Sequence, residues 1–367
     1  MSTASLPDLL AVPADDLLVL TASLVAVPSV SRDEAELADR VERRLDERAP
    51  GLALARVGNT VVARTELGRD RRIVLGGHLD TVPANGNDVP QLDGDVLHGL
   101  GSADMKGGLA VLLRLAEEIS AGNEPRFDCT LAFYEGEEIA DEFNGLRHVF
   151  AEQPALLAGD FAILLEPTGG HIEAGCQGTL HLRAHFDGER AHSARPWKGT
   201  NAIHAAADVL ARLAAHDSDT VLVDGLPYRE SLQVVRIDGG VANNVVPDTC
   251  TIVVNRRFAP QHSVDEARTQ VEALLEGADR IEVVDGSPAA PPNLGHPLVA
   301  EFVGVLGLPV EPKLGWTDVA RFASRSVPAV NFGPGDPDVA HTADEQVTRA
   351  SVEQCYAALA RFLGVDA

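Results

Sequence analysis

The chain has 367 residues, 45% hydrophobic and 23% charged, the balance of a folded globular protein too long for one ordinary core. Its 55 acidic against 30 basic residues leave a formal charge of −25, a field that repels phosphate backbones and argues against nucleic-acid binding. No run of about 18 apolar residues offers a membrane span, and the opening MSTASLPDLLAVPADD lacks the basic and apolar regions of a secretory leader, so a cytoplasmic protein is expected. Cys129, Cys176, Cys250 and Cys355 are scattered without a CxxC pair and read as reduced, buried thiols.

Helical spacing of Leu, Val and Ala predicts helices over 16–28 and 33–49, with Pro28 and Pro50 as stops. The apolar run Ile73-Val74-Leu75 predicts a strand ending in Gly76-Gly77-His78. A helix over 105–121 and strands over Thr130–Tyr134 and Phe161–Leu165 follow, the alternation of an α/β sheet flanked by helices. Near residue 179 the pattern changes. Alternating strands at Thr179–Phe186, Ser231–Ile237 and Thr249–Val254, a short strand at 281–284, and helices at 201–215 and 263–276 give the order of a small antiparallel α+β unit with one open sheet face. GSPAAPPNLGHP at 286–297 reads as a linker back to a strand at Ala329–Phe332 and a terminal helix at 348–364. The expectation is one α/β domain, residues 1–178 and 292–367, interrupted by an α+β domain at 179–291.

Ligands for a metal should stand at strand ends and loops, where a rigid sheet aims short side chains at one point. His78 and Asp80 end the 73–75 strand, and a carboxylate two residues on can hold the second imidazole nitrogen, although HxD alone is as often structural. Asp104 precedes a helix, the place of an ordinary N-cap, but Gly107 and Gly108 in its first turn cost helix stability, roughly 1 kcal/mol each. Glycines there suit a close backbone approach. Glu135, Glu137 and Glu138 crowd the end of an apolar strand, where a divalent cation would relieve their repulsion and a solvated loop is the plainer alternative. Glu166 ends another buried strand, and His341 follows a Gly-Pro loop. Two histidines with three carboxylates suit two zinc ions that share a bridging carboxylate.

The motifs GGHLDTVP, GLGSADMKGG, LLEPT, AHSARP with GTNAIHAA, GGVANNVVPD and AHTADE occur in this order over nearly the whole chain. Together they resemble the co-catalytic zinc aminoacylase family, and GWTDVARFASRSVPAVNFGPGDPDVAHTADE is most similar to its desuccinylase branch. The resemblance implies a zinc-peptidase-like catalytic domain with an inserted ferredoxin-like dimerisation and lid domain, a homodimer, and an acylated amino-acid substrate. It implies two Zn2+ per chain, for which Co2+ can substitute: His78 and Glu166 on one ion, Glu138 and His341 on the other, Asp104 bridging. It further implies Glu137 as general base, Asp80 orienting His78, and His192 reaching across a dimer to the substrate carbonyl. Asn244, Arg257, Thr317 and Gly333 match substrate-contacting positions; Arg195, with Lys198 and Arg257, offers cations for substrate carboxylates. The chain departs from the family pattern in two places. Ile139 follows the glutamate pair where glycine is usual, and Gln177 stands where many desuccinylases carry arginine. Acetylornithine deacetylase and dipeptidase activities, and a metal-free binding role, are the alternatives.

Overall fold

The computed structural model describes residues 8–365; the start of the stretch read as lacking a leader, residues 1–7, lies outside the described residues. Two compact units emerge. One runs up to Ala174 and takes in Asn293–Glu311 and the stretch from Arg321 onward; the other comprises Gly175–Pro292 and Pro312–Ala320.

The first unit is built on a mixed sheet of eight strands in the order 53–57, 60–64, 128–134, 72–78, 161–167, 329–333, 172–174 and 310–312. Its four central strands, from 128–134 to 329–333, are mutually parallel. The hairpin Ala53–Val57 and Thr60–Arg64 joins one side antiparallel, and Ile172–Ala174 the other. Every residue of Asp128–Tyr134 and Phe161–Pro167 is buried, which is why these strands read as unbroken apolar runs and not as alternations. The helices carry the complementary pattern. Ala35–Arg48 buries Leu37, Ala38, Val41, Arg44 and Leu45, one stripe at helical spacing. Leu17–Val25 is buried on nearly all sides and is capped by the Asp16 carboxylate, which accepts the Val19 amide. Among the described residues no helix is long and apolar enough to cross a membrane.

The second unit holds a four-stranded antiparallel sheet in the order 231–239, 249–258, 178–187, 280–287. In chain order this is strand 2, 3, 1, 4 of a βαββαβ sequence, the ferredoxin-like arrangement. Leu180, Leu182, Ala184, Phe186, Ile252 and Val254 face inward against Val209, Leu213, Ala267 and Val271 of the helices. The alternate positions His181, Arg183 and His185 stand on the open face. The helix expected over 201–215 is two short ones, Ala202–Ala205 and Ala207–Ala214.

Candidate metal centre

Three adjacent parallel strands deliver acids and imidazole to one edge of the large sheet. His78 is the last residue of Arg72–His78, Glu137 and Glu138 lie in the turn after Asp128–Tyr134, and Glu166 is next to last in Phe161–Pro167. The carboxyl ends of parallel strands are where α/β sheets bind ligands, because side chains there project past the last hydrogen bonds of the sheet.

Asp104 joins them. Its backbone is not helical (φ −119°, ψ 92°), and the helix Gly107–Ser120 begins three residues later without a side-chain cap. The N-cap alternative therefore fails: the carboxylate spans two imidazoles, with Oδ1 3.0 Å from His78 Nε2 and Oδ2 3.3 Å from His341 Nε2. His341 Nε2 lies 2.9 Å from Glu138 Oε1, and His78 Nε2 lies 4.0 Å from Glu166 Oε2. Two ligand-like groups result, His78–Asp104–Glu166 and Asp104–Glu138–His341, sharing Asp104; Glu137 falls within reach of His78 and Glu138.

The two glycines after Asp104 have a packing reason. A Cβ on Gly108 would sit 2.7 Å from the Leu165 carbonyl oxygen, and one on Gly107 2.9 Å from that of Ser102. The Gly108 approach is to the strand carrying Glu166, which brings Asp104 and Glu166 to the same edge.

Asp80 meets the His78 ring chiefly through its main chain, leaving its carboxylate for other partners. Its main-chain carbonyl lies 2.9 Å from His78 Nδ1, and its carboxylate oxygen 3.6 Å. The carboxylate accepts the amides of Glu137 and Glu138, each at 3.0 Å, and the Ser31 hydroxyl at 2.7 Å. It therefore pins the glutamate turn. Glu135 points elsewhere: its Oε1 accepts the Asn59 amide at 2.8 Å, against the turn at Gly58.

The electrostatics call for positive charge. Burial pulls the His78 pKa down, but the hydrogen bond to Asp104 and the charges of Glu166, Asp104 and Asp80 outweigh it and hold it well above the imidazole range. Hydrogen bonds to the Asp104 and Glu138 carboxylates raise His341 to about 10. Burial acts to raise Asp104, yet the two imidazoles keep it well below the usual carboxylate range. Three carboxylates crowd two imidazoles here, and divalent ions, which bind imidazole and carboxylate, would supply the positive charge this donor set calls for.

The second unit holds His192, Arg195, Asn244, Arg257 and Thr317. The His192 and Val245 backbones form a bridge, and the Ser193 amide donates to the Asn244 carbonyl at 2.9 Å, so the AHSARP and ANNVVP loops are zipped together. The Ala194 amide donates to His192 Nδ1 at 3.0 Å, which leaves the proton of the neutral imidazole on Nε2, an exposed donor. Arg195 is exposed on the same loop, and Arg257, half-buried, pairs across the sheet with Thr179. Thr317 is buried, its carbonyl accepting the Cys176 thiol. Gly333, in the first unit, lies against the Leu165 and Glu166 carbonyls, and its own carbonyl accepts the Thr168 hydroxyl. Gln177 is buried, donating to the Arg229 carbonyl at 2.7 Å.

Sequence reasoning passed over Glu345 and Ser31. Glu345 stands inside the AHTADE motif, but nothing in its neighbours marks it as buried, and it is 1% exposed. Ser31 lies 49 residues from Asp80 and carried no motif.

The sequence matches Peptidase family M20/M25/M40 over residues 74–364, and the chain belongs to that family. Its relatives narrow the comparison. It is 48% identical over 350 residues, 95% of this chain and 98% of the relative, to a putative succinyl-diaminopimelate desuccinylase DapE of Mycobacterium tuberculosis. To a succinyl-diaminopimelate desuccinylase of Corynebacterium glutamicum it is 43% identical over 354 residues, 95% of this chain and 96% of the relative. Among solved structures, aminopeptidase PepT from Bacillus cereus shares the fold, with a TM-score of 0.78 at 20% identity over 96% of this chain and 98% of that one.

Proposed function

We propose that this chain is a two-metal amide hydrolase that cleaves N-succinyl-LL-2,6-diaminopimelate to succinate and LL-diaminopimelate, in the cytoplasm and as a homodimer. The observation that carries the chemistry is Asp104, whose two oxygens face two separate histidine-carboxylate groups. The relatives named above support the substrate.

His78 and Glu166 would hold one Zn2+, Glu138 and His341 the other, with Asp104 bridging. Such ions supply a water acidic enough to be a nucleophile near pH 7 and polarise the amide carbonyl. Glu137 takes the nucleophile's proton and passes it to the leaving amine, a general acid–base contribution of typically 10²–10⁴-fold. Asp80 fixes the direction of both glutamates through their amides. His192, with its proton on Nε2, donates to the carbonyl oxygen as it gains charge. The homodimer reading draws on the free edge of the small sheet, where Val235 and Ile237 of Ser231–Gly239 are 58% and 51% exposed. Arg195, Arg257, Asn244, Thr317 and Gly333 are assigned to the substrate, the two arginines to its carboxylates.

The test is turnover of purified, zinc-loaded protein on succinyl-diaminopimelate, acetylornithine and a dipeptide panel. A kcat/KM for the succinyl substrate at least about 100-fold above the others is expected, a discrimination of roughly 3 kcal/mol. Preference for either other class overturns the substrate assignment.

A further inference from the structure

Glu345 is a carboxylate buried to 1% exposure with no ion pair among the described residues. It is satisfied by main-chain amides instead. Oε2 accepts the Gly101 amide at 2.9 Å, and Oε1 accepts those of Ala103 and Asp104, each at 3.0 Å. Its own carbonyl accepts the Gly99 amide at 3.1 Å. All four donors belong to the loop that presents the Asp104 carboxylate. Glu345 is also four residues beyond His341, whose φ of 61° is in the left-handed region that non-glycine residues seldom occupy. Between them the Thr342 carbonyl accepts Asn87 Nδ2 at 3.0 Å, and the Asn87 carbonyl accepts the Leu100 amide at 2.8 Å. The short segment 341–345 is thus tied twice to the 99–104 loop.

A buried carboxylate with no ion pair in direct contact, opposed only by the charge of the buried Lys106, is an expensive way to close a loop, since burial of a charge is costly unless it is fully hydrogen-bonded. Its distinctive effect here is geometric. Asp104 and His341 are 237 positions apart, and their carboxylate and imidazole must meet within hydrogen-bond reach. Through one residue the Asp104 amide and the His341 segment are held in a single rigid cluster.

We propose that Glu345 is a positioning residue: it sets the Asp104–His341 separation, and so the affinity of this centre for divalent ions. This rests on reading the centre as a two-metal site. Glu345→Gln keeps the shape but offers one acceptor oxygen, so it can serve Gly101 or the Ala103–Asp104 pair, not both, and turns an N–H donor toward an amide. Glu345→Asp keeps the charge and shortens the reach. Asn87→Ala removes the second tie without touching the Asp104 amide.

The experiment titrates metal-free wild-type and variant proteins with Co2+, following the visible d–d bands and the bound stoichiometry. Thermal unfolding of the metal-free proteins is recorded separately. Wild type is expected to take two ions. Glu345→Gln should lose about 10–100-fold in Co2+ affinity, the usual cost of removing a group that orients a ligand, with altered band intensity. Asn87→Ala should lose less, and Glu345→Asp should recover part of the loss; if Glu345→Gln fails to fold, Glu345→Asp carries the comparison with wild type. A lowered metal-free melting temperature with wild-type Co2+ affinity and spectrum would overturn the positioning role. Failure of wild type itself to bind Co2+ would instead remove the two-metal reading on which the role depends.

Discussion

Glu137 and Glu138 are chain neighbours whose assigned tasks differ, and both amides are pinned by Asp80. The sequence alone left Glu135 as a rival, because three acids in four residues can be aimed in several ways by one turn. Gly136, with φ 68°, makes that turn, and Glu135 is taken by the Asn59 amide. Glu137→Gln should therefore keep both metals and lose several orders of magnitude in kcat, because only a proton acceptor is removed. Glu138→Gln should lose metal from one site. Metal analysis beside turnover separates the two, and the reverse pattern would show the roles to be exchanged. The thiols make a second expectation. Burial pushes Cys129 up to about 12 and Cys176 up to about 11. Native protein at pH 8 should react with a thiol reagent many-fold more slowly than denatured protein at all four buried cysteines. Rapid native labelling of Cys129 or Cys176 would contradict the packing.

Among the elements, the helix Gly107–Ser120 and the strand Phe161–Pro167 form the contact that aligns the centre. Alanine at position 108 would gain roughly 1 kcal/mol in helix propensity over glycine. Against this, its Cβ would stand 2.7 Å from the Leu165 carbonyl and 2.9 Å from the Leu165 Cβ. Overpacking of this kind typically costs 1–3 kcal/mol, and the obstacle is backbone that cannot swing aside. Gly108→Ala should thus lower stability by up to about 2 kcal/mol in denaturant unfolding; a stabilised protein would mean that this contact is loose. The central strands were legible because burial on both faces leaves continuous apolar runs. The short hairpins were not. Gln91–Asp93 with Val96–His98, and Thr220–Val223 with Leu226–Arg229, are three or four residues long and partly exposed, too brief for any period to register.

For the whole molecule, the decisive question is whether one chain can complete its own site. The candidate metal ligands all belong to the first unit and His192 to the second. With Nδ1 occupied by the Ala194 amide, His192 has one donor to offer and no partner for it within its own loop. His192→Ala should lower kcat about 10²–10³-fold, the effect of one oxyanion donor, with metal content unchanged. Co-expressed with Glu137→Gln under a different tag, it should yield mixed dimers more active than either parent, since one of the two sites then has every residue intact. Mixed dimers no better than their parents would mean that His192 serves its own chain.

Periodicity, turn residues and the order of motifs were enough to give this protein's two architectures, its family resemblance and the residue types of a candidate metal centre, because those are local properties of the chain. Tertiary structure alone decided which acid faces the centre, since side-chain direction depends on one left-handed glycine and on Asp80 from another strand end. It also decided that Pro312–Ala320 packs with the second unit, where Lys313 accepts the Gln177 amide and Trp316 donates to Pro288. Glu345 became visible in the same way. Its burial follows from amides brought to it from more than 240 positions away, and no local pattern encodes such a meeting.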